Sequence, residues 1–311
     1  MRVLVTGAYG FVGNAVVREL ARAGHEVHAL TRGSGAGGLS ELPVARVWRG
    51  DLRDAAALRP ALEGVQGVCH LAALTGVREV VGTDDYSAVN VRGTETLLDV
   101  LAESARASGT VPAVVLASSA AVYGPAAEPI TEGVPPEPAS PYGRSKVEAE
   151  AVLRERAERG GVAGVALRCF NISGAVAGVG DRDESRIIPK TLAVAAGRAA
   201  QLTMNGDGTA VRDFVHVGDV AVAFRLALES TAGERYRCYN VGATGAGMGE
   251  IVALAREVTG RPIPVTMRRP PLPEIPVSLA DTARIRAELG WLPKRSSLRE
   301  LLADAWNAAG C

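Results

Sequence analysis

The most constraining stretch is Gly7-Ala8-Tyr9-Gly10-Phe11-Val12-Gly13, set between a β-branched run at residues 2–6 and a helical pattern at 11–23. Apolar residues recur at Val12, Ala15, Val16, Leu20 and Ala23, and Gly24 stops the helix. Gly-x-x-Gly-x-x-Gly between a strand and a helix allows a tight turn and a close approach to backbone amides at the helix N-terminus, which suits the pyrophosphate of a dinucleotide. The spacing differs from the commoner Gly-x-Gly-x-x-Gly, and an ordinary strand–helix turn is the alternative. Gly7, Tyr9, Gly10, Phe11, Val12 and Gly13 are thus candidate cofactor-binding positions.

The same alternation continues. Residues 26–30, 44–48, 67–71, 112–117 and 162–167 read as short apolar strands, and 54–63, 85–108 and 142–159 as helices. This predicts an α/β fold, a Rossmann-like doubly wound parallel sheet with helices on both faces, over residues 1–170. After about residue 170 Gly and Pro become frequent and the elements shorten: 187–197, 200–204, 217–229, 248–259, 282–289 and 297–309. They predict a second, smaller mixed α/β substrate domain over 171–311, with the chain returning to the first domain near 210–241. Ser34-Gly35-Ala36-Gly37-Gly38 reads as a flexible loop.

Bulk properties exclude several classes. Lys plus Arg equals Asp plus Glu at 34 each, so no global field draws the chain to nucleic acid or anionic lipid. No apolar run is long enough to span a bilayer, and the N-terminus reads as strand and loop, not as a signal peptide. Cys69, Cys169, Cys238 and Cys311 are scattered, and His is rare at four, which argues against a disulfide framework and a zinc site. No metal is expected, and a cytoplasmic location is.

Chemistry points to Tyr142-Gly143-Arg144-Ser145-Lys146. A Tyr and a Lys four apart share one face of a helix. There an ammonium can favour phenolate over phenol and make a base of a group with a pKa near 10. Such pairs also occur on plain solvated helices. Company raises this one: the glycine loop, and Ser119 at the end of a strand. Asp51-Leu52 follows the third strand and can reach an adenine edge or start a helix. An Asp or Glu closing the second strand would grip the 2′-hydroxyl of NAD, but Thr31-Arg32 stands there. Loss of the carboxylate removes repulsion of a 2′-phosphate, which leans towards NADP; the alternative is an Arg32 stacked on adenine or in solvent.

With His70-Leu71-Ala72-Ala73, Asn90, Ser118-Ser119-Ala120-Ala121-Val122-Tyr123-Gly124 and Tyr142-x-x-x-Lys146 read, the chain resembles the extended short-chain dehydrogenase/reductase family over essentially its full length. It is most similar to nucleotide-sugar epimerases of the UDP-glucose 4-epimerase kind. Arg168-Cys169-Phe170-Asn171-Ile172-Ser173-Gly174 and Arg212-Asp213-Phe214-Val215-His216-Val217-Gly218-Asp219-Val220 add to the match.

The resemblance implies that Tyr142 removes the proton of the sugar 4-hydroxyl. Lys146 would hold the nicotinamide ribose and acidify the Tyr, and Ser119 would bond the substrate oxygen and relay the proton. Leu71, Ala72, Ala73 and Asn90 fall among the cofactor-binding positions, Asn90 chiefly as a brace for the helix carrying the Tyr. Asn171, Arg212 and Arg269 would meet the substrate diphosphate. His216, Asp219 and Tyr123 are expected to brace or pack. Helices 85–108 and 142–159 would pair across a two-fold axis into a homodimer, or simply pack on the sheet.

Sugar dehydratases carry an acidic pair where Ala120-Ala121 stand, which disfavours dehydration and, for want of a Glu, decarboxylation. Pro270-Pro271-Leu272 replaces the Gly-Asp usual after the epimerase Arg. The expected activity is epimerisation at C4 of a UDP- or dTDP-hexose with bound NAD or NADP. An NADPH-dependent reductase of an NDP-4-ketohexose is the alternative, favoured by Thr31-Arg32. A non-catalytic dinucleotide sensor has no use for Ser119, Tyr142 and Lys146 together.

Overall fold

The computed structural model describes residues 1–33, 42–75, 82–126, 128–230, 235–269 and 275–310. The Ser34–Gly38 loop, Pro270-Pro271-Leu272 and Cys311 lie outside the described residues. The first part alternates strands β1 (Arg2–Thr6), β2 (Glu26–Thr31), β3 (Arg46–Arg49), β4 (Gly67–His70), β5 (Ala113–Ser119) and β6 (Ala163–Cys169) with helices. The helices are α1 (Phe11–Arg22), α2 (Ala55–Leu62), α3 (Thr83–Tyr86), α4 (Gly93–Ser108) and α5 (Pro141–Glu158). There follow β7 (Asn171–Ser173), β8 (Ala175–Val176), β9 (Val179–Gly180), α6 (Ile187–Ala195), β10 (Leu202–Asn205), β11 (Val211–His216), α7 (Val217–Glu229) and β12 (Tyr236–Val241). The chain closes with β13 (Thr244–Gly247), α8 (Met248–Thr259), β14 (Val265–Arg268), β15 (Val277–Ser278), α9 (Ala283–Leu289) and α10 (Leu298–Ala308).

The main sheet has the order β12-β6-β5-β4-β1-β2-β3, and every pairing in it is parallel. Its alternation explains its two cores. Val3 and Val5 of β1 pack with α1 and α7, while Leu4 between them packs with α2, α4 and α5. With both faces covered, the strands are apolar almost throughout. The chain leaves β1 for β2 and β3 on one side and returns to β4 on the other, so the β1/β4 junction is the switch point, where a crevice opens at the strand ends.

One departure from sequence expectation sits beside that crevice. The helix expected over 85–108 contains a π-helical turn at Ser87–Arg92. Asn90 in this turn accepts from Leu74 N at 2.8 Å and donates to Leu74 O at 3.0 Å and to Ser145 Oγ at 3.0 Å. A π turn re-aims one side chain within an otherwise continuous helix, here to tie the loop after β4 to α5.

Beyond β6, strands β7, β11, β13 and β15 form a small mixed sheet, and β10 pairs with β14. Helices α6, α8 and α10 close over Leu192, Ile251, Leu301 and Leu302 in a core of their own. Helix α7 and strand β12 return to the large sheet, β12 lying on β6. The apolar sides of α4 and α5, with Leu97, Leu98, Leu101, Ala149 and Leu153, are buried in the sheet-side core. Their outward faces carry Asp99, Glu103, Arg144, Glu148, Arg154 and Glu155.

Candidate active site

The nucleotide end is built from backbone. Gly7 ends β1 at φ +70°, and a Cβ on Gly13 would come within 2.0 Å of Gly7 O, so only glycine lets α1 start so close to the strand. Helix α1 has Gly10 as its N-cap, no side-chain cap and no acid in its first turn. Its first amides are therefore open to an anion, which fits a pyrophosphate. Thr6 Oγ1 accepts from Leu71 N and Ala72 N, each at 3.1 Å, and bonds His70 Nδ1 at 2.7 Å, locking the loop after β4 beside the glycine loop. A cavity of about 810 Å³ runs along these loops, lined by Tyr9, Phe11, Val12, Leu71, Ala72 and Ala73 among others.

Thr31, Arg32, Asp51 and Leu52 line the far end of the same cavity. Asp54, not Asp51, caps α2, accepting from Ala56 N and Ala57 N. Asp51 is left to its pair with Arg53 at 2.8 Å; that bond holds its carboxyl down at about 2, and the charge of Arg32 acts in the same direction. Asn90 does not line the cavity; its neighbour Val89 does. The side chain of Asn90 is engaged by Leu74 and Ser145, so it acts as the brace and not as a contact.

Ser119, Tyr142 and Lys146 converge at the near end. Ser140 caps α5 by accepting from Gly143 N at 3.0 Å, and Pro141 opens the helix. A Cβ on Gly143 would lie 2.2 Å from Ala121 O, so glycine lets α5 press against the turn after β5. That contact brings Tyr142 close to Ser119, whose hydroxyl works against the rise of the phenol. Lys146 Nζ donates to Ala117 O at 2.8 Å and lies 5.7 Å from the centre of the Tyr142 ring.

The electrostatics correct the sequence reading. Burial pushes the Tyr142 phenol up to about 12, opposed by its bond with Ser119 and by the charge of Arg186. Burial pulls Lys146 down to about 8. The ammonium gives one of its three N–H donors to a strand carbonyl, and the cation that favours the phenolate is Arg186. Burial, then Lys146, depresses His70 to about 3, so it stays neutral.

A second cavity of about 430 Å³ meets the first at Ser118, Tyr142, Cys169, Asp181, Asp183 and Arg186. Ser119, Asn171 and Arg212 line it, as do Lys190, Asn205 and Arg268. Asn171 donates to Asp213 O at 2.7 Å and Arg212 to Val211 O at 2.9 Å. Arg269 is exposed and is not part of either lining; Arg268 beside it is, donating to Asn205 Oδ1 at 2.7 Å. Arg186 is paired with Asp181 at 3.0 Å and Asp183 at 3.2 Å. Sequence reasoning missed these three, which look like a solvated charge run. His216 and Asp219 brace backbone, the first accepting from Gly218 N, the second from Lys294 N and Arg295 N. Among the described residues no cluster of His, Cys, Asp and Glu could hold a metal ion, and no helix is long and apolar enough to cross a membrane.

A switch-point crevice with an uncapped helix start, joined to a polar cavity at a Ser, a Tyr and a Lys, defines a dinucleotide-dependent enzyme of the extended short-chain dehydrogenase/reductase type. The model of the NAD dependent epimerase/dehydratase family matches residues 3–242, and the chain belongs to that family. It is 39% identical to a UDP-glucose 4-epimerase of Streptomyces lividans and 36% identical to one of Corynebacterium glutamicum, each match covering 98% of this chain and 95% of the relative. Among solved structures it is similar to a UDP-glucose 4-epimerase of Brucella ovis in complex with NAD (TM-score 0.88, 34% identity, 99% of this chain and 98% of that one). It is also similar to a UDP-glucose-4-epimerase of Stenotrophomonas maltophila with bound NAD and formylated UDP-arabinopyranose (TM-score 0.90, 29% identity, 99% and 97%).

Proposed function

We propose that the protein is a nucleoside-diphosphate hexose 4-epimerase acting on a UDP- or dTDP-hexose by reversible hydride transfer at C4. The observation that carries this is the position of Ser119, Tyr142 and Lys146 where the dinucleotide-fitted cavity meets one lined by Arg212, Arg268 and Lys190. Full-length kinship to UDP-glucose 4-epimerases supports it. Tyr142 removes the proton of the 4-hydroxyl, Ser119 bonds that oxygen and relays the proton, and Lys146 holds the nicotinamide ribose. A bound nicotinamide would supply the acceptor and donor of the C4 hydride, and its positive charge would ease ionisation of the Tyr142 phenol. Asn171, Arg212 and Arg268 face the diphosphate.

The neighbours solved with NAD support NAD as the cofactor. Thr31-Arg32 favours a second reading, an NADPH-dependent reductase of an NDP-4-ketohexose. One experiment separates them: purified protein is given UDP-glucose or UDP-galactose, the anomeric signals are followed by proton NMR, and the released cofactor is weighed by mass spectrometry. An epimerase interconverts the two sugars with no net change in nicotinamide absorbance. Stoichiometric loss of NADPH with a 4-keto sugar, and no interconversion, would establish the reductase.

The buried, unpaired Cys69, Cys169 and Cys238 suit a reducing cytoplasm. The protein is further read as a homodimer through the outward faces of α4 and α5. Because those faces are charged, the association weakens with salt. Sedimentation giving a monomer at low as well as high salt would remove it.

A further inference from the structure

The last three residues of β5 each hold one residue of α5, at successive turns. Ser119 faces Tyr142 closely enough to oppose the rise of its phenol, Ala117 O accepts Lys146 at 2.8 Å, and the Ser118 hydroxyl donates to Glu150. Positions 142, 146 and 150 share one helix face, so this is a three-rung clamp between a strand end and a helix. Its third rung is ionic and hidden. Glu150 is 5% exposed and Arg168 3%. Arg168 sits on β6 directly beside Ser118 and donates to Glu150 from Nε at 3.0 Å and from Nη2 at 2.7 Å.

The network continues outward. Arg168 Nη1 donates to the Tyr123 hydroxyl at 2.8 Å, which donates to Asn240 Oδ1 at 2.8 Å on β12. Asn240 in turn donates from its side-chain amide to Ile130 O and from its backbone amide to Glu132 Oε1, both at 2.7 Å. None of Glu150, Arg168, Tyr123 or Asn240 lines either cavity. Burying an ion pair contributes little net stability, and apolar residues of similar volume serve as well or better. Its placement one turn behind the active Lys calls for another explanation.

We propose that Glu150 is a positioning residue for the reaction: anchored by Arg168, its carboxylate fixes Lys146 and the Ser118–Ser119 strand end against α5 and supplies the counter-charge of the buried ammonium. The groups that face Lys146 are Glu150 and Tyr142 from its own helix, Cys169 from β6 and His70 from β4. His70 is neutral, and Cys169 is held as a thiol by burial, which pushes it up to about 12, so Glu150 is the anion in the set. Removing it leaves the ammonium easier to discharge.

The significance of this for turnover rests on the proposed function, but the test does not. The chain has three lysines, Lys146, Lys190 and Lys294, so a lysine-selective carbon-13 NMR titration resolves each of them. In Glu150→Gln the Lys146 midpoint falls by about one pH unit, and the alkaline limb of kcat/KM moves down with it, so that activity above the midpoint drops about tenfold more than activity near neutrality. Because Gln leaves Arg168 buried without its anion, Glu150→Gln/Arg168→Met serves as the second variant; it folds more stably and keeps part of the displacement. An unchanged Lys146 midpoint in either folded variant overturns the proposal, as does an equal loss of activity at every pH. Failure to turn over any sugar would sink the epimerase reading and leave the NMR result standing.

Discussion

The two ends of the crevice are made of different material. At the cofactor end, amides of an uncapped α1 and small residues of two loops do the holding, with few charges to strip of water. At the sugar end the lining is charged and already engaged, Arg186 with Asp181 and Asp183, Arg268 with Asn205, Asn171 with a strand carbonyl. A preorganised backbone site binds without reorganisation, whereas a site of mutually paired side chains binds by exchanging partners. Affinity for the dinucleotide should therefore resist point changes that alter sugar binding strongly.

The largest effect belongs to the seam between the ends. Tyr142→Phe removes the acid–base group and lowers kcat by roughly 10² to 10⁴-fold, with cofactor affinity unchanged by calorimetry. Full turnover in that variant would leave the seam without its chemistry. Next comes Lys146→Met, in which activity and stability move in opposite directions. Burial pulls Lys146 from 10.5 to about 8 in the folded chain, so folding disfavours the bound proton. The cost is fully present below about pH 8, on the order of 3 kcal/mol, and fades as pH rises towards the unfolded value of 10.5. Lys146→Met should melt higher than the parent at pH 7 and lose that advantage as pH approaches 10, while turnover collapses. A variant that melts lower at pH 7 would mean the ammonium is stabilising.

What could be read from the sequence follows the same division. The Gly7–Gly13 loop and Tyr142-x-x-x-Lys146 were legible because each is a local spacing on a single element pair, and the alternation of strands and helices places both at the sheet ends. The balance of charges was not legible: four-residue spacing suggests that Lys146 acidifies Tyr142, but burial acts on both groups and Arg186, 40 residues further along, supplies the opposing charge. The arginine that lines the sugar-side cavity, Arg268, stands one position before the Arg269 read from the sequence. On a strand, adjacent residues face opposite sides, so the pairing of Asn205 with Arg268 decides which arginine faces the cavity, and no local pattern reveals a pairing 63 residues apart. Asn90 is read chiefly as a brace, and its bonds to Leu74 and Ser145 agree; the π turn that aims it has no sequence signal.

That one-position slip can be broken directly. Arg268→Ala should raise KM for the nucleotide sugar by roughly 10 to 100-fold, the worth of a charge-assisted bond to phosphate, and leave dinucleotide affinity alone. Arg269→Ala should change either by less than about twofold, as an exposed charge outside the lining. The reverse result would restore the sequence assignment and put the described face of β14 in error.

The smallest expected effect sharpens the comparison most, because it concerns the far rim of the cofactor end, where charged side chains stand beside the backbone site. Thr31-Arg32-Gly33 closes β2 with no carboxylate to accept a ribose 2′-hydroxyl, and Arg32 lines the cavity. Across from it Asp51 stays ionised, its oxygens held by Arg53. A 2′-phosphate would meet Arg32 favourably and Asp51 unfavourably, so the two charges nearly offset and Arg32 decides how well NADP competes with NAD. Calorimetry on cofactor-free protein should find NAD bound at least as well as NADP, and Arg32→Ala should weaken NADP about tenfold while changing NAD less than about threefold. If both cofactors bind the variant as they bind the parent, Arg32 belongs to the surface, and the backbone of the glycine loop alone accounts for dinucleotide binding, as a retained NAD in an epimerase would require.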